Sequence, residues 1–207
     1  MARKKEQLSP DTEDKIKQAA KEVFLREGYE GATVRQIARE AGVNVALMNY
    51  YFHSKEQLFK SIYMESFGAF FGSMVQLLNE EIPLEVKIWK IVDRYTDFLM
   101  ENPMIPLFVL AEHRKEGEGL FQELNVREVV QNSYFTKQLR EEADQGNIRA
   151  VNPLHVVFSL MGNLIFPIVA RPVISYVGAF DEAGFRQFME ERKKIIPEMI
   201  MAYLKSR

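Results

Sequence analysis

Two tetrapeptides of the same kind, Thr33-Val34-Arg35-Gln36 and Ser54-Lys55-Glu56-Gln57, decide where two helices of this chain must begin. In each, the first hydroxyl is placed to accept from the fourth backbone amide, and the fourth side chain returns to the first amide. Between them stand Gly42, whose backbone tolerates the left-handed conformation that ends a helix, and Asn44, a capping side chain. The spacing therefore predicts a helix over 33–41, a turn at 42–44, a short helix over 45–51, and a longer helix from the second box to about residue 78.

The same punctuation runs through the rest of the chain. Ser9-Pro10, followed by Asp11 and Glu13, opens a helix that Gly28 closes. Val86, Trp89, Val92 and Phe98 keep a helical period until Asn102-Pro103 breaks it. A short apolar piece at 105–111 leads into HRKEGEG, the most loop-like stretch. Helical spacing resumes from Leu120 to about Ala143. Asn152-Pro153 caps a helix that is apolar nearly all round to about Ala170, and Asp181 caps a last helix that Pro197 should kink. No stretch alternates with the period of a strand, so the expected fold is all-α.

Composition removes several function classes. At 47% hydrophobic the chain can bury a substantial core, and without cysteine it has no disulfide, thiolate ligand or thiol nucleophile. His53, His113 and His155 lie on separate segments without metal-ligand spacing, so neither a metal nor a cofactor is expected. The glycines of "GEG" lack a preceding strand, and Glu80-Glu81 and Glu190-Glu191 read as solvated helix surface. No catalytic constellation survives, and the expectation is no enzyme. The basic opening MARKKEQLSP is not followed by the apolar run of a secretory signal. Residues 154–170 fall short of the roughly 20 that a membrane span needs and contain His155, Asn163 and Pro167, which favours a buried helix. The expected location is cytoplasmic. A net charge of -2 argues against a general cationic coat for nucleic acid.

The segments on either side of Gly42 have the dimensions of a helix-turn-helix. Val34, Ile37, Ala38, Val43, Met48 and Phe52 can share one packed face, which leaves Asn44, Val45, Ala46, Leu47, Asn49 and Tyr50 outward. In a DNA reader the second of two such helices enters the major groove, although helical corners with a glycine turn also occur in proteins that never touch DNA. The stretch EVFLREGYEGATVRQIAREAGVNVALMNYYFHSKEQLF narrows this choice. Over about the first 60 residues it resembles the N-terminal domain of the TetR family of bacterial transcriptional regulators, whose pattern of Gly-aromatic, Thr-Val-x-x-Ile-Ala-x-x-Ala-Gly-Val and x-Tyr-x-x-Phe-x-Ser-Lys-x-x-Leu it follows in order.

The resemblance implies a DNA-binding helix-turn-helix domain over residues 1–54 and a larger helical ligand-binding and dimerisation domain over 55–207. It implies that Thr33 contacts a phosphate, that Asn44, Val45, Ala46 and Leu47 face base edges, and that Asn49, Tyr50 and Tyr51 line the groove or backbone. Lys55, at the next helix start, would pair with a phosphate. The family often has lysine where this chain has Val45 and usually tyrosine where it has Asn49. Val45 and Leu47 can read only thymine methyls or shape, whereas the Asn49 amide suits adenine.

The implied activity is that of a ligand-responsive transcriptional regulator, a repressor released from operator DNA by a small, largely apolar effector. The alternative is a helical DNA-binding or partner-binding protein with no small-molecule effector. For the effector the expected residues are Trp89, Phe98, Phe108, Phe135, Met161 and Phe166, with His113, Asn132 and Asn163 as polar contacts; the bland alternative is that the apolar ones are plain core. The two last apolar helices are expected to pair with their copies as a homodimer.

Overall fold

The computed structural model describes residues 10–116, 122 and 124–206. Their regular elements are all helices: α1 (Pro10–Gly31), α2 (Val34–Glu40), α3 (Val45–Phe52), α4 (Lys55–Asn79), α5 (Leu84–Glu101), α6 (Ile105–Glu116), α7 (Val126–Asn132), α8 (Tyr134–Asp144), α9 (Pro153–Val169), α10 (Arg171–Gly178) and α11 (Glu182–Lys205). The chain divides into two compact units, Met1–Gly68 and Ala69–Arg207.

In the first unit, Ile16, Ala20, Val23 and Phe24 line one side of α1 and are fully buried. Ile37 and Ala38 of α2, Met48 and Phe52 of α3, and Leu58, Phe59, Ile62 and Tyr63 of α4 are buried as well. Phe59 presents its ring edge-on to Phe24 at 4.8 Å and to Tyr29 at 4.7 Å. Burying side chains of this size contributes about 1.5–3 kcal/mol each before entropy is counted. The expected cap Ser9 lies outside the described residues. Gly28 interrupts α1 as expected, at φ 70°, but a further turn continues to Gly31.

The second unit is built on α5, α9 and α11. Ile88, Val92 and Leu99 of α5 pack in one apolar cluster with Val156, Leu160, Leu164 and Ile168 of α9 and Phe185, Met189, Ile196, Ile200 and Leu204 of α11. A polar clasp lies beside this core. Lys193 on α11 reaches Asp93 at 3.1 Å, Asp97 at 2.5 Å and Glu190 at 3.3 Å. Partial burial works against the charge on Lys193, but the three carboxylates outweigh it and raise its pKa.

Four expectations are corrected. Residues 113–116 form the end of α6 instead of a loop, because Ala, Glu, Arg and Lys are strong helix formers; the rest of the expected loop lies outside the described residues. The expected helix from Leu120 to Ala143 is not continuous: α7 and α8 are separate helices, Leu120 is outside the described residues, and Ser133 caps α8 by accepting from the Thr136 amide at 3.2 Å. A helix not anticipated at all, α10, follows α9 and is anchored by Ile174, which packs on the core. Finally, α9 is buried on one face only: Val156, Leu160, Leu164 and Ile168 turn inward while Leu154, Phe158, Phe166 and Val169 are exposed. Among the described residues no single helix is long and apolar enough to cross a membrane; α9 and α10 reach that length only as a pair bent by 73°.

Ser133 is buried and its hydroxyl also donates to the Val130 carbonyl at 3.0 Å. Ser133→Ala should therefore cost about 1–2 kcal/mol, read as a lower urea midpoint with unchanged slope.

Candidate nucleic-acid interface

The geometry of the α2–α3 corner follows from its caps. Thr33 Oγ1 accepts from the Gln36 amide at 3.2 Å, and Gln36 Oε1 accepts from the Thr33 amide at 2.9 Å, so the first capping box is complete. The Thr33 hydroxyl donates to the same Gln36 oxygen at 2.7 Å. Helix α2 stops at Gly42, with φ 67°: the Val43 amide bonds the Ala38 carbonyl and the Gly42 amide bonds the Arg39 carbonyl. This double closure needs a residue at ease with positive φ. Asn44 then caps α3, its Oδ1 accepting from the Leu47 amide at 2.7 Å.

Buried Met48 and Phe52 hold α3 against the core. The opposite side carries Asn44, Val45, Ala46, Asn49 and Tyr50, all exposed, with Leu47 and Tyr51 half-buried beside them. Tyr50 is 62% exposed and stands edge-on to Tyr51 at 5.7 Å. The corner from α3 into α4 is tight. His53 takes φ 56° and ψ −38°, with the Ser54 amide 2.5 Å from the Phe52 carbonyl, and Ser54 Oγ caps α4 at the Gln57 amide, 3.1 Å away. Nothing in the sequence flagged His53 as a turn; buried Phe52 before it and the Ser54 cap after it force the bend.

Lys55 does not reach outward as expected. Its Nζ donates to the Tyr29 carbonyl at 2.8 Å and the Ala32 carbonyl at 3.0 Å, and lies 4.4 Å from the centre of the Tyr29 ring. Those carbonyls follow the break at Gly28, and the ammonium supplies donors to them. Two exposed cations that sequence reasoning missed, Arg35 and Arg39, lie four residues apart on α2 and have no acidic partner among the described residues. Arg26, in contrast, is engaged by Glu27 and Glu40. The signal for Arg35 was its place two residues after the Thr33 cap, on the side away from Ile37 and Ala38.

The expected effector residues scatter. Phe135 is buried in the second unit's apolar cluster, against which Phe98 and Met161 pack. Phe98 also stacks on Phe70 at 3.9 Å. Phe108 is buried on α6 and Trp89 half-buried on α5. Asn132 is exposed at the end of α7, and Phe166 is 66% exposed on the outer face of α9, so neither faces the interior. Asn163 is occupied: Arg192 donates to its backbone carbonyl at 2.9 Å, and its own Nδ2 donates to the Ser159 carbonyl at 2.8 Å. The side chain of His113 is outside the described residues. Buried polar groups absent from the expectation are Lys87 and Thr96 on α5 and Gln138 on α8. The buried row Leu84, Ile88, Ile91, Tyr95 runs along α5, and Lys87 sits beside it. Burial lowers the Lys87 pKa, opposed by Glu80 and Glu81.

A family profile described as "Bacterial regulatory proteins, tetR family" matches residues 16–62. The chain is 24% identical to the probable HTH-type transcriptional regulator YttP of Bacillus subtilis (strain 168) over 193 residues, which cover 90% of this chain and 92% of that one. It is 28% identical to the HTH-type transcriptional repressor NicS of Pseudomonas putida over 58% of this chain and 57% of the relative. Among solved structures it is similar to a TetR transcription regulator from Haloarcula marismortui, with a TM-score of 0.65 and 19% identity over 95% of this chain and all of that one. The transcriptional regulator FadR from Bacillus subtilis in complex with stearoyl-CoA gives a TM-score of 0.62 and 20% identity over 92% of this chain and 98% of that one.

The two carbonyls and the ring around Lys55 make it a structural fastener. Lys55→Ala should lower stability by about 2 kcal/mol, measured by denaturant unfolding. An unchanged unfolding midpoint together with weakened DNA binding would return Lys55 to the phosphate role.

Proposed function

We propose, from the premise that this chain belongs to the TetR family of bacterial transcriptional regulators, that it is a ligand-responsive repressor released from its operator by a small, largely apolar effector. The observation that carries the DNA-binding part is the exposed row on α3, held out by Met48 and Phe52, beside the exposed Arg35 and Arg39, which have no acidic partner among the described residues. In this reading α3 enters the major groove. Asn44, Val45, Ala46, Leu47 and Asn49 meet base edges, and Thr33, Tyr50 and Tyr51 meet the backbone. Arg35 and Arg39 supply the phosphate charge first assigned to Lys55.

Residues 1–54 would act as the reading domain and 55–207 as the effector and pairing domain. Pairing is supported by the outer apolar face of α9 and α11, where Phe158, Phe166, Ile195, Met199 and Tyr203 are all exposed. Two copies joined through α9 and α11 make a symmetric interface, which suits a palindromic operator with half-sites about 34–36 Å apart. An effector held among Trp89, Phe98, Phe108, Phe135 and Met161 releases DNA only if it binds the two states of the dimer unequally. The repressor NicS and the stearoyl-CoA complex of FadR support repression and an apolar effector by analogy. Such a regulator works in the cytoplasm.

The test is a shift assay on the DNA flanking the protein's own gene. Arg35→Ala should lower the slope of log affinity against log salt by about 1 on every sequence, and Tyr50→Ala should weaken binding with the fold intact. Asn49→Ala should relax preference at one or two symmetric positions, worth roughly 1–3 kcal/mol of discrimination. Wild-type behaviour from all three would sink the groove assignment.

Phe158→Glu and Gly162→Arg should both give monomers in sedimentation at micromolar concentration and lose operator affinity. Gly162 has open space around it within one chain, so its arginine variant should still fold. A dimer of normal affinity in both variants would put the interface elsewhere.

A further inference from the structure

The buried polar groups of the second unit gather where α4 ends, α5 begins and α8 starts. Lys87 is fully buried, yet among the described residues its Nζ donates only one hydrogen bond, to the Leu78 carbonyl at 3.2 Å. The ring of Tyr134 covers another side at 4.5 Å. Gln138, one turn along α8 and 7% exposed, donates Nε2 to the Ile82 carbonyl at 2.9 Å, and its Oε1 has no donor among the described residues. Asn79 Oδ1 accepts from the Tyr134 amide at 3.0 Å and ties the start of α8 to the same connection.

An ammonium carries three N–H groups. The Leu78 carbonyl takes one, and its place in the last turn of α4 lends the partial negative charge of a helix end. Among the described residues no carboxylate forms an ion pair with it: Glu80 is engaged by Lys90 at 2.9 Å, and Glu81 is exposed. Lys87 is thus left with donors to spare and Gln138 with an acceptor to spare, both beside the connection at residues 78–82. A buried cation whose nearest counter-charges, Glu80 and Glu81, act only from a distance, and a buried amide oxygen without a donor among the described residues, are each unfavourable, so a ligand that meets both gains from both. The required chemistry is an anionic acceptor with a hydroxyl donor close by.

Resting on the reading that an effector is held in the second unit, we propose that Lys87 and Gln138 are the head-group site for an apolar hydroxycarboxylic acid. The carboxylate pairs with the ammonium of Lys87, the hydroxyl donates to Gln138 Oε1, and the apolar body lies against the cluster that includes Leu78, Ile82 and Phe135. Half-buried Tyr134, the first residue of α8 after the break at Ser133, is the side chain that yields to admit it.

Calorimetry on the full chain with three probes tests this: 3-hydroxydecanoic acid, decanoic acid and methyl decanoate. The hydroxy acid should bind at least about fivefold tighter than the plain acid, and the plain acid at least about tenfold tighter than the ester. Lys87→Met should erase the acid-over-ester preference, and Gln138→Met the hydroxyl preference, each leaving the other in place. A wild-type protein that binds none of the probes, or that does not distinguish acid from ester, overturns the proposal. So does a Lys87→Met variant that keeps the acid preference. Operator binding on the same preparations, without probe, separates the two readings: if it holds while the probes fail, only the head-group site falls.

Discussion

The ammonium of Lys55, lodged between two backbone carbonyls and a tyrosine ring, is the contact from which the rest of the reading surface is set. Gly28 breaks α1 and leaves the following carbonyls short of helical donors, and Lys55 supplies them at Tyr29 and Ala32. The Tyr29 ring under the ammonium packs in turn on Phe59, which contacts Phe24 and Tyr63. Charge, ring and core are therefore one stack. Thr33, the cap of α2, is the next residue after Ala32, so the direction of α2 is fixed by that stack and the direction of α3 by the turn at Gly42.

The same device recurs at the other end of α4. Lys87 donates to the Leu78 carbonyl and sits over Tyr134, at a ring distance within a tenth of an ångström of that at Lys55. The difference is the number of carbonyls. Lys55 has two and Lys87 one, with deeper burial, so the first clamp is satisfied within the protein and the second retains capacity for something more. On the proposed head-group site, the finish of α4 is where an effector would act, while its start is held within the protein.

Helix starts were legible because capping is chemistry between residues three apart. Thr33, Asn44, Ser54, Asn152 and Asp181 all cap as the sequence reading expected. The all-α fold was legible for the same reason. Ser133 was missed because a serine inside a periodic run reads equally as helix interior, and only its extended backbone, ψ 151°, makes it a cap. The role of Lys55 was hidden because its partners lie 26 and 23 residues away. Exposure on α3 could be read from the Met48–Phe52 spacing alone. The effector residues could not, since an aromatic at helical spacing says that a face is apolar and not which neighbour it meets; Phe166 turned outward on those terms.

The two faces of α9 have a consequence for how this protein responds to its own abundance. The inward row, Val156 to Ile168, belongs to the fold of one chain, while the outward row with Phe158 and Phe166 is exposed. On the proposed pairing, the free energy of hiding that outer row enters only through mass action. The melting temperature then rises with concentration, and the pool of folded regulator falls faster than linearly as synthesis slows. One helix would thereby give the molecule a threshold of expression below which it does not pair and is less stable.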